Sequence, residues 1–275
     1  MRYALRLPNL AWPGLAAACW AAPAAAQADG ERVWLEVSGY APSIETRARI
    51  DTADGSLGTE IGFESDLAFD DEKVLPALLV GVRLGSRFTL SGEFFSLDRS
   101  STVRLQRDIT FGDVTYPAAA SVSGEFKTDI YRLAVNYAVV RRPGFDAGVS
   151  IGVHATDVEV AIAGDGRVGN AAAQFQRRSH SLLAPLPTVG LFANAGVLPG
   201  LGVAARADYF SLGVGKYDAT LLNAQVAAIY RIHPRIGLGA GYRHVEYRVT
   251  ATGDHLIGRV DYNFDGPTLF VRVGF

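Results

Sequence analysis

The sequence predicts an all-β chain: an antiparallel up-and-down β-barrel that crosses a membrane with about ten strands. Three observations carry this. Hydrophobicity of period two recurs along the chain, tight turns alternate with longer polar loops, and the face opposite the apolar one holds small residues and isolated charges. The 275 residues are 49% hydrophobic and 20% charged, with a formal charge of −2. That is ample for one large domain with a substantial interior. The composition excludes a disordered chain, the single cysteine excludes a disulfide scaffold, and the charge balance excludes a strongly basic nucleic-acid binder.

The first thirty residues read as an export signal. Arg2 and Arg6 form a positive start, Leu10 to Ala22 is a short apolar stretch, and no acidic residue precedes Asp29. Small-residue cleavage sites fit after Ala26 or after Ala28, which assigns residues 1–28 to a signal peptide and 29–275 to the barrel. Pro8, Pro13 and Pro23 argue against a membrane anchor. Cys19 is a candidate lipidation site, but Leu15 stands one residue too far back for the usual spacing.

Beyond the signal, alternation dominates. Tyr131, Leu133, Val135, Tyr137 and Val139 alternate with Arg132, Ala134, Asn136 and Ala138. Val203, Ala205, Ala207 and Tyr209 alternate with Ala204, Arg206 and Asp208, and the same rhythm marks Ala147–Val153, Val226–Ile232 and the final Leu269–Phe275. Tight connectors sit at Gly85-Ser86, at Arg141 to Gly144, at Leu198 to Leu201 and at His233 to Arg235. Longer polar stretches fall at 51–71, 106–123, 164–179 and 250–256, with a shorter one at 213–217. Four short turns and five longer loops make ten strands with both termini at the short-turn end; eight or twelve are the neighbouring solutions.

A soluble exported sandwich would also alternate. Here the apolar face is aliphatic with Tyr or Phe near strand ends, which suits lipid and headgroups, while small and charged residues suit a crowded lumen. Closure follows, because unpaired backbone groups at an open sheet edge cannot persist in hydrocarbon. With the export signal and the terminal Leu269-Phe270-Val271-Arg272-Val273-Gly274-Phe275, the chain resembles bacterial outer-membrane β-barrel proteins. The resemblance implies an outer-membrane location. It implies lipids and lipopolysaccharide as surroundings, and the barrel-insertion machinery as the partner that reads Phe275. It carries over no catalytic residue. From the residues themselves no cofactor is expected, no aromatic-basic face for a nucleic-acid partner appears, and the oligomeric state is left open.

Two places depart from the pattern. Pro185 and Pro187 leave two missing N–H groups facing one neighbour, so a bulge, a weak seam or a strand starting after Pro187 is expected. At Gly266-Pro267 the apolar phase shifts from Tyr262 and Phe264 to the odd-numbered residues, which a one-residue bulge would explain.

The candidate lumen network comprises Glu93, Arg132, His154, Arg206, Asp208 and Arg243 at mid-height. Glu36, Arg83, Arg231 and Arg272 lie nearer the short-turn end, and Glu93 and Arg132 fall on adjacent strands, close enough to pair. These groups make a polar conduit, a ligand-lined cavity or a salt-bridged plug; small barrels are largely filled by their own side chains, which favours the plug. The five histidines show no metal-ligand spacing. An omptin-like hydrolase would need a dyad such as His244 with Glu246 or His154 with Asp157, and no third member or oxyanion donor is recognisable. The acidic segment 59–72 reads as a solvated loop rather than a divalent-cation site. The function expected is therefore structural or interactive, or a narrow passage for ions or small solutes.

Overall fold

The structure, a computed structural model, describes residues 31–51, 58–168, 171–214, 217–252 and 257–275. The expected signal segment and Cys19 lie outside the described residues. In chain order the elements are β1 (Val33–Tyr40), β2 (Ser43–Ile50), β3 (Ile61–Gly62), α1 (Phe63–Asp66), β4 (Leu75–Leu84) and β5 (Phe88–Arg104). Next come β6 (Ile109–Phe111), β7 (Val114–Tyr116), β8 (Ser121–Arg142), β9 (Phe145–Val168) and β10 (Ala171–Leu198). The last four are β11 (Leu201–Val214), β12 (Tyr217–His233), β13 (Ile236–Thr252) and β14 (Ile257–Gly274).

The sheet closes on itself because β1 pairs antiparallel with β4 on one side and β14 on the other. β1 and β2 are one stave in two pieces: Tyr40 faces Thr268 and Ser43 faces Asp265, an unbroken register against β14 across Ala41-Pro42. With β4, β5 and β8 to β14, this makes a closed antiparallel barrel of ten staves. At the short-turn end Gly85, Gly144 and Gly200 adopt φ of 72°, 73° and 80°, left-handed conformations that only glycine takes at little cost. No helix among the described residues is long and apolar enough to cross a membrane. The strands do so instead.

The staves are longer than a bilayer needs, and their two halves have opposite chemistry. On β8 the outward residues nearest the short turns are Tyr131, Leu133, Val135, Tyr137 and Val139, all exposed. Farther up, the same face carries Ser123, Glu125, Lys127 and Asp129. The inward face inverts in step: Arg132, Ala134 and Asn136 below, Val122, Phe126 and Ile130 above. At about 3.4 Å per residue and a tilt near 40°, the apolar outer run spans roughly 20–25 Å, the height of a lipid-facing band. The Phe94–Tyr131 and Phe88–Tyr137 ring pairs, each with centroids 5.0 Å apart, mark its two rims. Above the band the barrel is a tower with water outside and an aromatic core inside, including Phe95, Phe126, Tyr247, Tyr262 and Phe264.

This inversion corrects the bulge expected at Gly266-Pro267. The β13–β14 register runs unbroken from Ile236↔Val273 to Thr252↔Ile257, and even-numbered residues of β14 face inward throughout. The faces exchange chemistry because the surroundings change; the backbone does not slip. β10 likewise runs through Pro185 and Pro187 without a bulge, pairing Pro185 with Ala155 and Pro187 with Val153 of β9. Pairing with β11 is registered only from Val189 toward the turn, so the weak-seam alternative describes this site. The expected loop at 164–179 is mostly strand, since β9 extends to Val168 and β10 begins at Ala171.

Two upper segments fold over the barrel. The segment at 59–72 is not simply solvated. Ile61, Phe63, Leu67 and Phe69 are buried, and α1 carries Phe63 against Phe69 and Phe126, both at 5.3 Å. The stretch after β5 forms the β6–β7 hairpin, burying Ile109, Phe111, Val114 and Tyr116, and the Tyr116 hydroxyl donates to the Ile162 carbonyl at 3.0 Å.

Candidate functional site

Where the two halves meet, inward side chains from β5, β8, β9, β11, β12 and β13 form a charged layer across the lumen. Cross-strand register sets it: Glu93 lies opposite Arg132, Arg132 opposite His154, Asp208 opposite Asn223, and Gln225 opposite both Arg206 and Arg243. Period two turns each of these side chains inward, with Arg206 and Asp208 at successive inward positions of β11 and Asn223 and Gln225 at successive inward positions of β12.

The layer is paired through two carboxylates. Asp208 accepts from Arg132 Nε at 2.7 Å and Nη2 at 3.1 Å, from Arg206 Nη1 at 3.3 Å and from the Ser150 hydroxyl at 3.2 Å. Glu93 accepts from Arg206 Nη2 at 2.6 Å and from Arg243 Nη1 at 2.7 Å. Arg206 thus joins the two carboxylates and also donates to Gln225, while Arg243 donates to Asn223 at 3.2 Å. His154 Nε2 stands 3.9 Å from Asp208. The six residues sit in one contiguous group, but the pairing differs from the expected one. Although Glu93 and Arg132 are cross-strand neighbours, the hydrogen bonds of Arg132 run to Asp208 and Ser91. Bidentate geometry explains this: Asp208 offers both oxygens to one guanidinium, and Gly190 on β10 leaves the room. A Cβ there would stand 2.6 Å from Asp208 Oδ1 and 2.5 Å from Ser150 Oγ.

The charged layer is tied to the core above it. The Arg243 guanidinium lies 4.5 Å from the Phe95 ring and 5.5 Å from that of Tyr40, whose hydroxyl donates to the Phe264 carbonyl at 2.9 Å. One level higher, Arg99 is held between Phe69 and Phe126, 5.4 Å from each ring, and donates to Glu64 at 2.7 Å and to Thr46 Oγ1 at 2.6 Å. Glu64 also accepts from the Thr46 backbone N–H at 2.9 Å, so α1 is latched onto two staves. Sequence reading overlooked Arg99. It shares the parity of Glu93 on β5, a signal that was present.

Below the charged layer the lumen opens into a chamber of about 230 Å³ toward the short turns. Glu36, Arg83, Arg231 and Arg272 line it. Arg272 pairs with Glu31 at 3.3 Å and Glu36 at 3.4 Å, its guanidinium 4.5 Å from the Trp34 ring. Phe275 follows β14 at this rim, exposed, its N–H donating to the Val33 carbonyl at 2.8 Å.

The dyads drawn for a hydrolase do not assemble. His154 faces the lumen and Asp157 the outside, as residues three apart on a strand must. On the outer face, His244 pairs with Asp265 at 2.5 Å and Glu246 with Arg248 at 3.5 Å. His180 and His255 lie where side chains are outside the described residues. No group of three metal-ligating side chains is found among the described residues.

No protein-family profile matches the chain, and no curated protein does. Solved structures do. The outer membrane protease OmpT from Escherichia coli matches with a TM-score of 0.55 at 10% identity, over 88% of this chain and 96% of that one. The transport unit of the autotransporter AIDA-I from Escherichia coli matches at 0.40 with 8% identity, over 90% and 92%. A Pseudomonas aeruginosa FadL homologue matches at 0.38 with 11% identity, over 90% and 91%. At such identities the first likeness shows the fold alone. The chain has the closed ten-stave fold of bacterial outer-membrane β-barrel proteins, consistent with an outer-membrane location.

Proposed function

We propose that the protein is a non-conducting outer-membrane barrel with a structural or interaction role. One observation supports this above all: three layers are stacked along a single axis. α1 and its aromatic neighbours close the top, the tower core fills the upper lumen, and the Glu93–Asp208–arginine layer crosses the middle. A hydrated ion crossing it would have to displace two carboxylates, each bound to two guanidiniums, and then part an aromatic core. The folded-over loops and the polar outer wall of the tower are the surface offered to a partner.

Planar-bilayer recording of the purified protein tests this reading. A silent membrane is expected. Discrete current steps whose size changes in Arg132→Ala or Glu93→Ala would replace the closed barrel with a narrow passage for ions or small solutes.

A further inference from the structure

The chamber below the charged layer has a property that a simple filler does not need. Five arginines line it (Arg83, Arg132, Arg206, Arg231 and Arg272) against three carboxylates, Glu31, Glu36 and Asp146. Most of these charges are already committed. Arg132 and Arg206 are turned upward to Asp208 and Glu93, while Arg272 engages both Glu31 and Glu36. Arg83 on β4 and Arg231 on β12 remain, and neither guanidinium has an ion pair or hydrogen bond among the described residues. Their staves are separated on the shorter way round by β1, β14 and β13, so the two side chains enter one chamber from different walls. Among the described residues Asp146 is the single uncommitted carboxylate of the lining, so cation outnumbers anion among the free groups.

We propose that this chamber is a binding pocket for a compact dianion, one presenting carboxylate or phosphate oxygens, entering from the short-turn end. A guanidinium fork matches either oxyanion in two parallel hydrogen bonds. Two forks from separate walls suit a solute with charge at two ends or on several oxygens. The low-dielectric wall strengthens the attraction while the open mouth lets the ligand keep part of its hydration. The volume of about 230 Å³ admits a solute smaller than a typical drug-sized ligand. Lipid headgroups are excluded by position, because the chamber lies inside the wall. The inference goes beyond the closed-barrel reading: a pocket blind at its upper end binds without conducting.

The chamber contains its own reporter, Trp34, which lines it beneath Arg272. The experiment titrates the detergent-purified protein with succinate and, separately, inorganic phosphate. Tryptophan fluorescence and calorimetry are read together at constant ionic strength, with acetate as the monoanion control. Saturable binding of at least one dianion is expected, tighter than that of acetate. Arg83→Gln and Arg231→Gln should each weaken it about tenfold, the worth of a charged hydrogen-bonded contact. Arg235→Gln, exposed in the short β12–β13 turn and not part of the chamber lining, should leave it unchanged. Trp34→Phe should remove the optical change while the calorimetric signal persists. Heat-modifiable migration confirms that each variant is folded. The proposal is overturned if neither dianion saturates, if acetate binds as tightly, or if a folded Arg83→Gln/Arg231→Gln double variant binds like the parent. Failure here would leave the bilayer result untouched, and current steps there would leave this titration untouched.

Discussion

The lower and upper halves of β8 obey the same period-two rule with opposite contents. Near the short turns, Leu133 and Val135 face outward and Arg132 and Asn136 face inward; near the loops, Lys127 and Glu125 face outward and Phe126 inward. Identical backbone geometry can serve either arrangement, so strand pairing does not decide which face is oily. The solvent does. Below the Phe94–Tyr131 rim the outer face touches acyl chains and the lumen holds the polar minority; above it the rule reverts to that of a soluble protein.

Substitutions on this strand should separate the two zones. The largest effect is expected for Phe126→Ala, which empties a fully buried aromatic site in the tower core and should cost about 3–5 kcal/mol in unfolding from lipid vesicles. A loss below about 1 kcal/mol would mean that the tower has no packed core. Leu133→Arg, seven residues lower and outward, should cost about 2–4 kcal/mol because it puts a cation against hydrocarbon. Lys127→Leu, in the same outward phase, should stay within about 0.5 kcal/mol. Equal effects at 127 and 133 would break the comparison.

Effects smaller than that of Leu133→Arg are expected where the upper segment is latched. Glu64→Gln leaves the buried Arg99 guanidinium without its counter-charge and should cost about 1–3 kcal/mol, read as faster hydrogen exchange across 59–72. The smallest concerns Asp66. Partial burial pushes its carboxyl up, but donation from Arg107 at 2.8 and 3.1 Å and from the Gly62 N–H at 2.8 Å outweighs this and holds it below the usual carboxylate range. A carboxyl depressed by folding contributes stability above its unfolded pKa, and that contribution fades as pH falls toward the folded value. Acidification through and below the ordinary carboxylate range should therefore loosen the segment slightly, and Asp66→Asn should abolish that part of the pH dependence. An unchanged pH profile in Asp66→Asn would remove Asp66 from the account.

What was legible in the sequence follows the same division. Alternation on Tyr131–Val139 and Val203–Tyr209, with the tight turns between, gave the antiparallel staves and their number, because lipid-facing residues differ sharply from lumen residues. The parity of Glu93, Arg132, His154, Arg206, Asp208 and Arg243 placed them on the lumen side. Their partners were not legible. Whether Arg132 reaches Glu93 or Asp208 depends on side-chain reach across a closed ring and on the space left by Gly190. The tower was misread at Tyr262 and Phe264, since an oily inward face and an oily outward face have the same period. The inward fold of Phe63 and Phe69 was hidden by the acidic residues around them.

The most direct test is to place single cysteines at 125, 127, 133 and 135 of a Cys19→Ser parent and to label membranes with a water-soluble, membrane-impermeant maleimide. All four side chains point outward on one stave, so their accessibility differs only through the surrounding medium. The account predicts labelling at 125 and 127 and protection at 133 and 135, with the protected pair labelled once the bilayer is dissolved and the protein unfolded. Equal labelling of all four in intact membranes would contradict it.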